Sequence, residues 1–240
     1  MIELSLGQVG LGLLPILIAA LIFGLVLNDW ASVAWASLRM FVQLIFIGYA
    51  LAIIFGLQHP LWVMVVVSLM SLGAGWIALR AMRKYNRPIW PVFAAVLLAG
   101  GLNLMWILGV VIRPEPWFSP EVVIPLTGMV MATAMNAVSL CAERFWAERS
   151  QGIEANEANE AGHSALSACM IPHINALLAV GLVSLPGMMT GQILSGVSPL
   201  VAVRYQIIIM AMLLSTAALG SFLYLHWAKQ DCGSVPDPQS

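Results

Sequence analysis

Charge is scarce in this chain. Of 240 residues, 9% are Asp, Glu, Lys or Arg, against 61% hydrophobic. Ordinary globular domains carry about a quarter charged residues. A soluble fold of this length could not hide so much apolar surface, so a bilayer must. Lysine is scarcer still. Lys84 and Lys229 are the only two and neither follows a glycine, which excludes a GxxxxGK[ST] phosphate loop. The three cysteines, Cys141, Cys169 and Cys232, are scattered with no CxxC spacing, so no zinc or disulfide framework is expected. GxSxG and HExxH runs are absent, and no cofactor is expected. The net charge of -1 gives nothing for nucleic acid to bind. Acidic residues are missing from the long apolar stretches, and Asp29 lies just past the end of the first. Proton-driven transporters place a carboxylate at membrane depth. Energy for any pumping would therefore come from another polypeptide.

What remains is a pattern of apolar stretches. A membrane-crossing helix needs roughly 20 apolar residues. Seven stretches qualify: Leu6–Leu27, Val33–Phe55, Leu61–Leu79, Ile89–Ile112, Val122–Cys141, Ala165–Leu185 and Tyr205–Leu225. The first is not a secretory signal, because it lacks a basic start, carries Glu3 and runs too long. The fold expected is all-α, a polytopic membrane protein with about seven transmembrane helices. Residues 1–228 form the transmembrane domain, and 229–240 a disordered tail.

Basic residues set the orientation. Arg80, Arg83, Lys84 and Arg87 share one short gap between apolar stretches. With the N-terminus outside, Arg39, Arg144, Arg149 and Lys229 join them inside, and only Arg113 and Arg204 lie outside. Cytoplasmic loops carry the excess of Lys and Arg. The polar segment 142–164 and the C-terminus are then cytoplasmic.

Several polar residues stand within the spans. Arg39 and Gln43 are one turn apart and share a helix face, lining a path or an interhelical contact. Arg39 equally suits snorkelling to the headgroups. Asn103 and Asn136 lie mid-span and should each face another helix. His173 and Asn175 follow Pro172, which interrupts the sixth stretch. Methionines cluster in the C-terminal half. Their thioethers suit soft ions, but Met is also a flexible hydrophobe, and the metal ligands, if any, are unknown. From Gly181 to Gln206, Gly, Pro and polar residues recur where a lipid-facing helix would be apolar. Irregular backbone at membrane depth must be buried or line a cavity. Within it Gly187 and Gly191 form a GxxxG match that allows close helix approach, with Met188, Met189 and Gln192 alongside.

At this stretch the chain resembles a known family. VGLVSLPGMMTGQILSGVSP, followed by YQIIIM and LLSTA, is similar to the FetB (YbbM) family of ABC-transporter permeases, linked to iron export. LRMFVQLIFIGY and VIPLTGMVMATAMNAVSL match the same family. The similarity covers residues from about 33 to 225. It implies a multispan permease without ATPase activity, a separate cytoplasmic ABC ATPase subunit, a homodimer, and the bacterial inner membrane. Related plant proteins are tied to aluminium tolerance, so the resemblance leaves the substrate open. The family's longer segment before the sixth span, with an IE…LGA run, is replaced here by EANEANEAG. Coupling candidates for the ATPase are Arg149, Ile153, Glu154, Glu157 and Glu160. The residues alone also suit a stand-alone secondary transporter or channel, or a membrane scaffold that transports nothing.

Overall fold

The structure is a computed structural model that describes residues 5–57, 59–83, 85, 88–150 and 158–233. Every described element is a helix. The chain divides into two compact units, residues 1–58 and 59–240.

The first unit is a helical hairpin. α1 (Leu6–Gly12) is started by Ser5, whose hydroxyl accepts from Gln8 N while the Gln8 side chain receives Ser5 N–H. α2 (Leu14–Leu27) follows with Pro15 in its first turn. Proline lacks an N–H and is tolerated there, where that donor has no intrahelical acceptor. Asn28 turns the chain in the left-handed region, φ 52°, and Asp29 caps α3 (Trp30–Leu57) by accepting Ser32 N–H at 3.1 Å.

The second unit is a bundle whose long helices alternate in direction. α4 (Pro60–Ala78) tightens into a 3₁₀ turn, Leu79–Met82. α5 (Trp90–Trp106) loosens into a π turn, Ile107–Ile112, which Arg113 stops at φ 48°. α6 (Pro120–Arg149), α7 (Ala158–Ala179), the short α8 (Gly187–Leu194) and α9 (Pro199–Gly233) complete it. α6 lies at the centre, against α4, α5, α7 and α9.

Small residues allow this packing. Ala95 and Ala99 on α5, Ala134 and Ala137 on α6, Ala161 and Ala165 on α7, and Ala217 on α9 are buried. Lipid tails are as apolar as leucine, so association relies on close van der Waals contact rather than on hiding bulk from water. The bulk faces outward instead, as at Leu69 and Trp106. Two buried threonine hydroxyls bond within their own helices. Thr127 donates to Val123 O and Thr216 to Met212 O, both at 2.8 Å. No water is needed to satisfy them.

The described helices depart from the expected stretches at four points. Six described helices, not seven, are long and apolar enough to cross a membrane. The exception is α7, which carries Asn159, Glu160, His163, Ser164, His173 and Asn175. It nonetheless runs the length of the bundle. Ser164 near its start meets Glu148 of α6 at 2.6 Å, and Leu177 near its end shares a pocket with Val203 of α9. It stops at Ala179, short of the expected Leu185, because Gly181 turns the chain at φ 84°. The polar segment 142–164 is not one loop: its first part completes α6 and its last part opens α7. α9 continues to Gly233, past the boundary expected at 228.

Candidate functional site

The basic residues of the second unit gather mostly at one end. Arg144 pairs with Glu148 at 2.8 Å, and Glu148 also receives the Ser164 hydroxyl. Lys229 Nζ donates to Asn159 Oδ1 at 3.0 Å. These bonds tie the start of α7 to the ends of α6 and α9. Trp90 and Trp227 pack there with ring centroids 5.3 Å apart. Arg113 and Arg204 lie at the opposite end, after α5 and at the start of α9.

A polar relay organises the basic end. Trp146 Nε1 donates to the Tyr224 hydroxyl at 2.8 Å, and that hydroxyl lies 3.4 Å from Met82 Sδ. All three side chains are buried. The relay pins the 3₁₀ turn to α6 and α9. Just beyond it, the Tyr85 hydroxyl donates to Glu143 O at 3.3 Å, with Glu143 Oε1 at 3.5 Å.

Beside this turn lies a groove of about 630 Å³. Arg80 and Arg83 border one side, with Ile77 and Ala81. Asn136, Ser139 and Glu143 border the other, with Met135. Asn136 was expected to face another helix; its side chain is instead exposed in this groove. Asn103 likewise needs no neighbour, because its amide donates to Ala99 O of its own helix at 3.0 Å. A helix offers each residue a carbonyl one turn back, and a short amide reaches it.

A second pocket, of about 510 Å³, sits where α7, α8 and α9 meet. Met189, Gln206 and Met210 line it with Gly181. Gln206 is 6% exposed. Met189 and Gln206 therefore border one pocket, whereas Asn136 opens into the groove beside the 3₁₀ turn. Gln192 Oε1 is buried without a hydrogen-bond partner. Met188 turns away and packs on the apolar cluster around Leu126, Val130 and Ile209.

The two glycines of the GxxxG match do not approach another helix of this chain. A Cβ built at Gly187 or Gly191 meets nothing within 4 Å. Close approach occurs at glycines the spacing did not single out. At Gly75 a Cβ would lie 2.6 Å from the Phe93 ring, and at Gly220 it would lie 3.0 Å from Val138 Cγ2. Helix α8 is too short to bring its stripe against a neighbour, whereas these glycines lie in long packed helices.

The other expected residues are dispersed. Arg39 and Gln43 are exposed on α3 of the first unit, and Asn175 is exposed on α7. Arg149 borders a small pocket of about 170 Å³ with Tyr85, Trp146 and Ser150, and its Nη1 is buried without an acceptor. Glu160 is exposed in the first turn of α7. Ile153, Glu154 and Glu157 lie outside the described residues. Among the described residues no group of three or more His, Cys, Asp and Glu gathers as a metal-ligand set. Ser139 and Glu143 were missed. Their spacing from Asn136, three and seven residues on, places all three on one helix face.

The fold, with its outward apolar bulk and basic end, defines a polytopic α-helical membrane protein. Residues 6–232 match a family described as "Uncharacterised protein family (UPF0014)", and the chain belongs to it. It is 35% identical to the UPF0014 membrane protein slr1647 of Synechocystis over 240 aligned residues, covering 92% of this chain and 91% of that protein. It is 32% identical to the "Probable iron export permease protein FetB" of Escherichia coli, over 82% of this chain and 81% of that protein. It is 29% identical to "Protein ALUMINUM SENSITIVE 3" of Arabidopsis thaliana, over 79% of this chain and 73% of that protein. No solved structure matches the chain.

Proposed function

We propose that this chain is the membrane-spanning permease subunit of an ABC exporter in the bacterial inner membrane. It moves iron or another metal ion, driven by a separate cytoplasmic ATPase, and works as a homodimer. The likeness to the protein named as a probable iron export permease, over 81% of that protein's length, carries the reading. The name of the Arabidopsis relative refers to aluminium, so the substrate is given as a class.

The basic end faces the cytoplasm, where positive loops belong. The ATPase docks there, on the exposed start of α7 around Glu160 and the neighbouring residues 151–157. Gln206, Met189 and Gln192 supply polar and soft contacts near the opposite end, and Asn136 does so nearer the cytoplasm. Arg39 and Gln43 add a polar strip on α3, and Asn175 another on α7. Gly187 and Gly191, open on their own chain, meet the second copy. The chain hydrolyses no ATP itself.

The test is to purify the chain with and without a co-expressed P-loop ATPase. Hydrolysis should require the ATPase, and permease-bound ATPase should turn over faster than the free subunit. Hydrolysis by the chain alone, above contamination, refutes the reading.

A further inference from the structure

We infer that the groove beside the 3₁₀ turn is a seat for the phosphate of an anionic phospholipid. In a 3₁₀ turn, residues three apart eclipse one another. Arg80 lies in that turn, and Arg83 follows it, its N–H donating to Arg80 O at 3.4 Å. The two side chains therefore leave the backbone on the same side. Met82 points the other way, into the core, at 2% exposure. The relay from Trp146 through Tyr224 ends on its sulfur. The turn is thus fixed from behind while its arginines are presented in front.

Both arginines are exposed and border the groove. The Asn136 amide adds a neutral donor across from them. Among the described residues Glu143 is the single carboxylate in the lining, and its Oε1 stands beside the Tyr85 hydroxyl. Two guanidinium groups against one carboxylate leave an excess positive charge. Guanidinium forks match phosphate oxygens two at a time.

The apolar part of the lining selects a lipid over free phosphate. Ile77 and Met135 border the same groove, and Trp76, beside Ile77 on α4, is 64% exposed. Charge lies toward the end of the bundle and apolar side chains lie below it. A phospholipid has the same order, with its phosphate at the boundary and its acyl chains inward. Basic pockets between membrane helices hold anionic headgroups in this way. The inference does not depend on the transported substrate.

Native mass spectrometry of the full chain in detergent tests it, with phosphatidylglycerol and phosphatidylcholine of matched acyl chains. The wild type should retain phosphatidylglycerol preferentially. The double substitution Arg80→Gln/Arg83→Gln should cut that preference about 30-fold, at roughly fivefold per basic residue. Asn136→Asp, nearly isosteric and safe for folding, should also weaken it by placing a negative charge in the groove. Arg204→Gln, at the opposite end, should leave it unchanged. Wild-type preference in Arg80→Gln/Arg83→Gln overturns the site, and if that pair does not fold, wild-type preference in Asn136→Asp does so. Inorganic phosphate in millimolar excess should neither displace the lipid nor stabilise the protein as the lipid does. Equal stabilisation by phosphate would overturn the lipid assignment.

Discussion

Gly220 sits where α9 crosses α5 and α6, and a side chain there has no room. A Cβ at this position would lie 3.0 Å from Val138 Cγ2 and 3.3 Å from Ala99 Cβ. Ordinary carbon contacts are about 3.5–4.0 Å. Neither neighbour can swing aside, because one is a methyl on a β-branched residue and the other is fixed to its backbone. Overpacking costs about 1–3 kcal/mol. Gly220→Ala recovers about 1 kcal/mol of helix propensity, so its net cost is about 0–2 kcal/mol. Gly220→Leu adds three more carbons to the same gap and should reach about 3 kcal/mol or more. That corresponds to a melting temperature lowered by roughly 6–12 °C for a chain of this size. Gly191→Leu is the matched control, since a Cβ there meets nothing within 4 Å. Thermal unfolding in detergent, followed by tryptophan fluorescence on dispersed monomers, reads both. Gly220→Leu melting with the wild type, or Gly191→Leu melting as low as Gly220→Leu, would refute this account of the packing.

Further outcomes follow from the same structure. Cys141 and Cys169 are 0% and 1% exposed; in a Cys232→Ser background neither should take up maleimide until the protein is denatured, and rapid native labelling would contradict their burial. Replacing Ile153–Glu157 with a Gly/Ser linker, together with Glu160→Gln, should abolish ATPase association while the bundle still folds; unchanged co-purification would move the docking site toward Arg80 and Arg83. A reporter fused after Ser240 should be cytoplasmic, and periplasmic activity would invert the assigned orientation.

The helices were legible in the sequence because a long apolar run has few alternatives in lipid. Their ends were less so. Val122–Cys141 reads as a span, yet α6 continues to Arg149, because a helix can leave the bilayer without breaking. α7 was expected as a span, but its polar residues keep it below the apolarity of the others. Packing within the bundle, at Ala161, Ala165 and Cys169, gives it one buried face instead. The GxxxG spacing pointed to Gly187 and Gly191, whereas the tight contacts fall at Gly75 and Gly220. Spacing marks glycines that share a face, but only the neighbouring helix decides which face is used. Met189 and Gln206 were marked separately as candidates from the irregular stretch; that they border one pocket is visible only in the fold. The groove was half visible. Asn136 stood out as a mid-span amide, but Arg80 and Arg83 were read only as orientation signals. Their joint presentation depends on a 3₁₀ turn that Met82 holds from the far side, a contact between residues 142 positions apart.

The central claim is transport energised from outside the chain. It is tested most directly by reconstituting the chain with its ATPase partner in liposomes and following iron across the membrane. Flux should require both the partner and ATP, and should stop in proteoliposomes containing this chain alone. Iron flux through the chain alone, tracking the ion gradient without ATP, would contradict it.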